Sequence, residues 1–392
     1  MKFEKQKISN LISEISMGPF GSNIKVDCFV DKGIPVLNGS NLDGFALKEE
    51  SFRFVTKEKA DSLGKANAHR GDVVITHRGT LGQIIFIPGN SLYDRYVISQ
   101  SQFRVRCNEK ILPEYLVYYF HTKIGQHKLL SNASQVGVPA LARASTTFQK
   151  LEIEVPDITA QQKIVSFLEI IRRKIEINTE INENLEQQAK TIFSKMIVED
   201  ADESWTPGVL SDIAIVTMGQ SPKGNTYNEE GVGTVFFQGR AEFGFRFPSR
   251  RLSTTDPKRM AQANDSLMSV RAPVGDMNVA YEDCCIGRGL ASIRSKDNHQ
   301  SFVLYTMFNL RKELNVYNGE GTVFGSINRD ALNSISISVP PIRVRDKFEA
   351  VVSPIDTAIR NNYDEICRLK AIRDCLLPKL MSGELDVSNL TI

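Results

Sequence analysis

Two patterns of apolar residues run along the 392-residue chain, and each occurs twice. Short apolar runs with two-residue alternation, punctuated by glycine, fill residues 1–156 and 206–340 and predict β-rich domains. After each domain the period changes to steps of three and four. In the first such stretch the positions are Ile164, Leu168, Ile171, Ile175, then Leu185, Ala189, Ile192 and Met196. In the second they are Phe348, Val352, Ile355, Ile359, Ile366, Leu369, Leu376 and Leu380. This is the heptad seam of a coiled coil. Asn178 and Asn362 also fall on the seam, near the helix midpoints, where they either pair and fix register or stay solvated at a loose waist.

The expected fold class is α+β: β-rich domain 1–156, helix 157–198, acidic linker 199–205, β-rich domain 206–340, and a second helix with tail over 341–392. Thr159 followed by Gln162 has capping-box spacing and marks the first helix start. In the second helix Pro354 predicts a restart, with Ser353 as N-cap and 343–352 as a separate piece. A helix of about 39 residues reaches roughly 58 Å at 1.5 Å per residue. The linker after it is too short to retrace that length, so the two helices are expected to pair antiparallel.

The two halves are copies. "ISMGPFGS" (15–22) is echoed by "VTMGQSPKG" (216–224), and "GIPVLNGSNL" (33–42) by "GTVFFQGRAE" (233–242). "GDVVITHRGTLG" (71–82) is echoed by "NDSLMSVRAPVG" (264–275), and "ISQSQFRVR" (98–106) by "IGRGLASIR" (286–294). "TTFQKLEIEVP" (146–156) is echoed by "DALNSISISVP" (330–340). The separation shrinks steadily from 201 to 184 residues and then stays constant through the helices. Loop deletions within duplicated domains produce that trend. Frame residues match (Met17/Met218, Gly18/Gly219, Asp72/Asp265, Gly82/Gly275), while polar tips differ: Asn38 against Gln238, His77 against Val270, Gln100 against Arg288.

Composition narrows the function classes. Hydrophobic residues are 41%, charged residues 24% and the net charge +2, so a nucleic-acid surface has to be local. The six cysteines show no framework or CxxC spacing, which suits a reducing, cytoplasmic setting, and Cys284-Cys285 reads as buried strand. No apolar run approaches the roughly 20 residues that span a bilayer. Walker A, Gly-x-Ser-x-Gly, HExxH and methyltransferase tetrapeptide motifs are missing; Gly319-Glu320-Gly321 with Gly325 reads as a loop. No catalytic residue or metal ligand is assigned.

Polar and basic side chains instead gather on the domain loops. In the first copy these are Ser22, Lys25, Asn38, Asn41, His77, Arg78, Gln100, Gln102 and Arg104. In the second they are Gln220, Ser221, Lys223, Gln238, Arg240, Arg250, Arg251, Arg271 and Arg288. Between residues 240 and 271 seven Lys/Arg face three acids, and Phe243, Phe245 and Phe247 alternate as on the buried face of a strand. Arg and Lys suit guanine or phosphate and Asn and Gln suit adenine, so the mixture fits a base-reading surface. An ordinary solvated β-surface is the competing reading. Arg78, kept as Arg271, has a shared task in either phosphate contact or loop bracing.

"MGPFGSNIK", "GIPVLNGSNL", "GDVVITHRGTLG", "ITAQQKIVSFLE" and above all "RLKAIRDCLLPKLMSGELDV" (368–387) resemble the DNA-specificity subunit of type I restriction-modification systems. The resemblance covers essentially the whole chain, in the order domain, helix, domain, helix. It implies a non-catalytic subunit that binds double-stranded DNA, each domain reading half of a bipartite target, with the helices setting the spacer. It also implies two adenine methyltransferase subunits and restriction subunits as partners, with S-adenosylmethionine, ATP and Mg bound there. The helix seam would comprise Ile164, Leu168, Ile171, Ile175, Asn178, Leu185, Ile192, Val352, Ile355, Ile359, Asn362, Ile366, Leu369 and Leu376. A coiled-coil scaffold joining two protein-binding β-domains is the alternative, and a lone nuclease or methyltransferase a third.

Overall fold

A computed structural model describes residues 2–134, 137–202, 205–319 and 325–387. Glu320 and Gly321, in the glycine loop considered above, lie outside them. The chain divides into two compact units, Met1–Ile177 with Glu365–Ile392, and Asn178–Asp364, so the division falls inside both long helices.

In the first unit the strands are β1 (Phe3–Lys7), β2 (Ile12–Met17), β3 (Phe29–Val30), β4 (Ile34–Val36), β5 (Arg53–Val55), β6 (Asn67–His69) and β7 (Asp72–Thr76). They continue with β8 (Ile84–Phe86), β9 (Arg95–Val97), β10 (Gln102–Cys107), β11 (Ala133–Ser134), β12 (Ala140–Leu141) and β13 (Glu152–Pro156). The order β2-β10-β7-β8 makes an antiparallel sheet, and β3-β5-β4-β9-β6 a five-stranded one in which β4 and β9 run parallel. β1 pairs with β13, closing the domain just before its helix.

In the second unit the strands are β14 (Thr206–Val209), β15 (Ala214–Met218), β16 (Tyr227–Asn228), β17 (Thr234–Phe237), β18 (Leu252–Thr254) and β19 (Met260–Ala261). β20 (Ser266–Ser269), β21 (Met277–Val279), β22 (Cys284–Ile286), β23 (Leu290–Ser295) and β24 (Ser336–Val339) complete it. Its sheets, β15-β23-β20-β21, β16-β18-β17-β22-β19 and β14-β24, repeat three sheets of the first unit, including a parallel pair, β17 with β22; the β11-β12 hairpin has no counterpart among the described residues. Cys284 and Cys285 are buried in β22.

Strand β7 shows why the sequence folds this way. Val73 and Ile75 point into a core with Phe103, Tyr115 and Leu168, while Val74 points into a second core with Ile85, Tyr96 and Ile98. The four-stranded sheet is therefore covered on both faces, by helices on one and by the five-stranded sheet on the other. At its edge Asp72 is fully buried, accepting from Arg106 Nε at 2.8 Å and from the His69 amide at 2.9 Å, with Arg104 Nη1 at 3.5 Å. Asp265 repeats this with Arg294 Nε at 2.7 Å, Ser292 Oγ at 2.6 Å and the Gln262 amide at 2.8 Å.

Two helix boundaries differ from the expectation. The first helix runs Ile158–Phe193 and ends in a π-helical turn, Ser194–Glu199. Its cap is Asp157, whose carboxylate accepts from Ala160 N at 2.9 Å, so Thr159 already lies inside. The second helix, Ile342–Ser382, passes through Pro354 unbroken. Phe348, Val352 and Ile359, all fully buried, hold it on both sides of the proline. Pro354 and Ala350, whose carbonyl loses its donor, are exposed, so that carbonyl is not buried without a partner. The residual cost predicts that Pro354→Ala raises the unfolding free energy by about 1–2 kcal/mol, read by urea denaturation.

Every seam residue named above is buried or half-buried. In the first unit Ile164 and Leu168 share a core with Leu377 and Leu380, and Lys174 meets Glu365 at 3.5 Å. In the second, Phe193 packs on Phe348, ring centroids 5.6 Å apart, and Asn362 Nδ2 donates to Asn182 Oδ1 at 2.9 Å. Within each unit rising numbers on one helix meet falling numbers on the other, an antiparallel pairing. The partner of Asn362 is one turn along from Asn178, which is itself buried.

Arg246 nails the second domain to its helices. It is buried, donates to Tyr305 Oη at 3.1 Å, contacts Asp356, and lies 3.4 Å from Glu186. Phe243, Phe245 and Phe247 do not form the expected strand: a short turn, Arg240–Glu242, precedes them, Gly244 interrupts them, and Phe245 is exposed.

His299 makes a second junction, at the start of the helix Gln300–Asn309. Its Nε2 lies 2.8 Å from Asp346 and its Nδ1 2.9 Å from Asp297, which also contacts Arg345. Burial pulls its pKa down, but the two carboxylates outweigh burial and raise it above the usual histidine value. The imidazolium therefore stabilises the fold fully below about pH 6.5, and the contribution is lost as pH rises through the raised value. The stability gap between wild type and His299→Gln in urea is expected to be larger at about pH 6 than at about pH 8.5. An equal gap at both would show that folding leaves the histidine pKa unshifted.

Candidate nucleic-acid interface

The polar tips sit on a turn built identically in both copies. After β9, Gln102 N donates to Ser99 O at 3.1 Å, Gly18 N to Gln102 O at 2.8 Å and His77 N to Ser101 O at 2.8 Å. After β22 the counterparts are Leu290 N to Gly287 O at 2.9 Å, Gly219 N to Leu290 O at 2.9 Å and Val270 N to Gly289 O at 2.9 Å. The matched Met-Gly steps have a steric reason: a Cβ on Gly18 would lie 1.9 Å from Ser99 O, and one on Gly219 2.2 Å from Gly287 O. Gln100 and Arg288 stand exposed at the tips of these turns.

Beside each turn lies the matched arginine. The backbone of Arg78 bridges to Ala140 and that of Arg271 to Ser326. The main chain thus does the bracing, and both side chains are exposed, with no hydrogen-bond or ion-pair partner among the described residues.

In the second unit Gln238, Arg240, Arg251, Arg271 and Arg288 line one concavity of about 400 Å³, with Glu242 and Ser269 at its base. Three of the candidate arginines hold carboxylates: Arg240 on Asp276, Arg251 on Glu242 at 2.7 Å and Arg250 on Glu282 at 2.5 Å. Only the Arg250–Glu282 pair is exposed on both sides and worth about 1 kcal/mol or less, whereas Glu242 and Asp276 are largely buried and anchor Arg251 and Arg240 in place. Gln220 and Lys223 are exposed nearby in sequence, and Ser221 Oγ accepts from Arg288 N at 3.2 Å.

In the first unit Asn38 and Gln100, the counterparts of Gln238 and Arg288, line another concavity of about 400 Å³ with Phe20, Gly21 and Arg53. Lys25 is exposed on the loop that borders it, and Ser22 lies in the single turn Gly21–Asn23. The sequence reading passed over Phe20, 83% exposed, and Arg53, which stacks 5.2 Å from the Phe29 ring centroid. Phe20 sits in a repeated stretch whose second copy has Ser221 there, and Arg53 lies outside every repeat match.

Three candidates are structural. Asn41 is fully buried, accepting from Asn38 N at 2.9 Å and donating to Lys48 O and Glu50 O. Gln102 is buried, with its amide on Ser99 N and Asn38 O. Arg104 is buried against Glu14, Asp72 and Lys65 O. All three have their polar atoms committed inside the domain and reach no surface. Asn38 is half-engaged, its Oδ1 accepting from Ser40 N at 2.8 Å. His77 is a brace: burial holds its pKa below the usual value, so the neutral ring donates Nε2–H to Gln100 O at 3.1 Å.

Among the described residues no cluster of His, Cys, Asp or Glu is arranged to hold a metal ion, and no helix is long and apolar enough to cross a membrane. The family model for the type I restriction modification DNA specificity domain matches residues 21–187 and again 202–365. The chain belongs to this family.

Each match to the specificity-domain model takes in one β-rich domain and most of the following helix, so the internal copies are two specificity domains. Among curated relatives, the putative type I restriction enzyme MjaX specificity subunit of Methanocaldococcus jannaschii is 27% identical over 379 residues, covering 91% of this chain and 88% of that protein. The MjaIX specificity subunit of the same organism is 25% identical, covering 89% of this chain and 83% of that one. A crystal structure of a type I restriction-modification S subunit from M. genitalium shares the fold at 15% identity, with TM-score 0.61 over 97% of this chain and 96% of that one.

Proposed function

We propose that this chain is the DNA-reading subunit of a type I restriction-modification complex, with each specificity domain reading one half of a bipartite, asymmetric duplex target. The observation that carries this reading is the pair of turns, matched in backbone hydrogen bonds and different at the tip, each beside an exposed arginine. Two copies of one scaffold with different tips suit two different half-sites, and a shared arginine suits the phosphate that every sequence presents. The helices would set the unread spacer and offer a surface to two adenine methyltransferase subunits. Restriction subunits would join for cleavage. S-adenosylmethionine, ATP and Mg would be bound by those partners, and the methyltransferases would flip the target adenines.

Co-expression of the full chain with its methyltransferase subunits, followed by mapping of methylated adenines, tests this. A bipartite motif with a fixed gap is the expected result. Methylation without a motif, or none at all, would overturn it.

A further inference from the structure

Four positions are matched on or beside the two turns, and only one of these meets three conditions together. Position 78/271 is arginine in both copies and cannot distinguish two half-sites. At 77/270, His77 is spent on the Gln100 carbonyl and Val270 is buried. At 38/238, Asn38 uses its carbonyl oxygen to cap the turn that follows it. At 100/288 both side chains are exposed, neither has a hydrogen-bond or ion-pair partner among the described residues, and the chemistry changes from carboxamide to guanidinium.

The backbone fixes where these side chains start. Gln100 is seated by Gly21, where a Cβ would come 2.2 Å from Gln100 Oε1, and by the His77 ring on its carbonyl. Arg288 is seated by its amide on Ser221 Oγ and opens into a concavity it shares with Gln238 and Arg271. In the major groove guanine shows two acceptors, O6 and N7, which match the two parallel donors of a guanidinium. Adenine shows an acceptor and a donor, N7 and N6–H, which match a carboxamide.

Building on the function proposed above, we infer that the turn-tip position is the discriminating base reader of each domain: Arg288 reads a guanine in one half-site and Gln100 an adenine in the other. Arg78 and Arg271 hold the adjacent phosphates and carry no sequence information. Arg53 and Phe20 shape the first concavity only, which keeps the two readers from being interchangeable in reach.

The experiment uses the full-length chain assembled with its methyltransferase subunits, with methylated sites mapped by sequencing and duplex preference measured by selection from a randomised pool. In Arg288→Gln the preference for guanine at one position of one half-site is expected to fall roughly ten- to a hundred-fold, the other half-site staying as it was. Gln100→Arg is expected to shift one adenine position in the opposite half. Arg288→Lys keeps charge but loses the fork, so guanine preference should fall while overall affinity stays within a few-fold. Arg271→Gln should weaken all sequences alike and lower the salt slope by about one. A wild-type motif that Arg288→Gln and Gln100→Arg leave unchanged at every position, or weaken uniformly, overturns this assignment alone. A wild-type complex that marks no motif removes the function proposed above, and this assignment with it.

Discussion

Replacing Arg246 by alanine is expected to lower the stability of the second unit by about 3–5 kcal/mol. Arg246 brings one buried positive charge to Glu186 on the first helix and Asp356 on the second, with Tyr305 completing its donors. Its removal leaves two largely buried carboxylates without their shared cation, Glu186 keeping Lys190 and Asp356 keeping the Tyr305 hydroxyl. The penalty belongs to the stranded charges rather than to the lost contacts, and that sets the control. Arg246→Met combined with Glu186→Leu and Asp356→Leu should recover most of the loss, because an apolar trio costs no desolvation. Hydrogen exchange across Gln300–Asn309, together with urea denaturation, reads both results. A loss below about 1 kcal/mol for the alanine variant would mean that water reaches the site.

The first unit solves the same junction with the charges rearranged. Val279 N donates to Arg246 O at 2.9 Å and Phe86 N to Phe45 O at 3.0 Å, so Phe45 occupies the place of Arg246. The tyrosine is kept as Tyr118, donating to Glu169 at 2.7 Å, and the repeat position of Asp356 is Arg172, which pairs with Glu169 and Glu176. Arg373 lies 4.9 Å from the Phe45 ring centroid. One copy thus sends a cation from the domain to acids on the helices, and the other sends an aromatic ring to cations on the helices. Grafting the second domain onto the first helix would set Arg246 against Arg172, so each domain is keyed to its own helices.

The repeat, the order of domains and helices, and the seam were legible in the sequence because each is a matter of spacing, and spacing survives divergence. The Met-Gly and Asp frame positions were legible for the same reason, and the structure supplies the cause in backbone contact below any Cβ distance and a buried carboxylate. What the spacing hid was burial of polar groups. In β10 Phe103 and Val105 alternate with Gln102 and Arg104, which reads as one apolar and one solvent face. A second sheet covers the polar face too, and both side chains spend their donors inside it. Asn41 misled in the same way, since an asparagine that closes a turn and one that reads a base look alike in sequence. Pro354 misled through local propensity, which the buried contacts of Phe348, Val352 and Ile359 override.

Asp72→Ala is expected to cost about 3–5 kcal/mol in the first unit, and Asp265→Ala distinctly less in the second. Asp72 opens β7 and Asp265 immediately precedes β20, the strands that lead into the His77-Arg78 and Val270-Arg271 steps, so both set the register of the reading face. Their burdens differ. Asp72 neutralises Arg106 and the buried Arg104, whose side chain is only 5% exposed. At the Arg104 position the second copy has Ser292, so Asp265 answers one partly exposed guanidinium and one hydroxyl. Removing Asp72 strands a buried cation with Glu14 as its remaining acid, whereas removing Asp265 leaves Arg294 with access to water. Hydrogen exchange on β7 and β10 against β20 and β23 separates the two within one chain. If the two losses came out equal or reversed, Arg104 would be solvated and the stabilising charge would lie with the pair that both copies share. The ordering also bears on reading: Asp72→Ala should loosen the first half-site position before affinity falls, because Gln100 hangs from the turn that β10 supports.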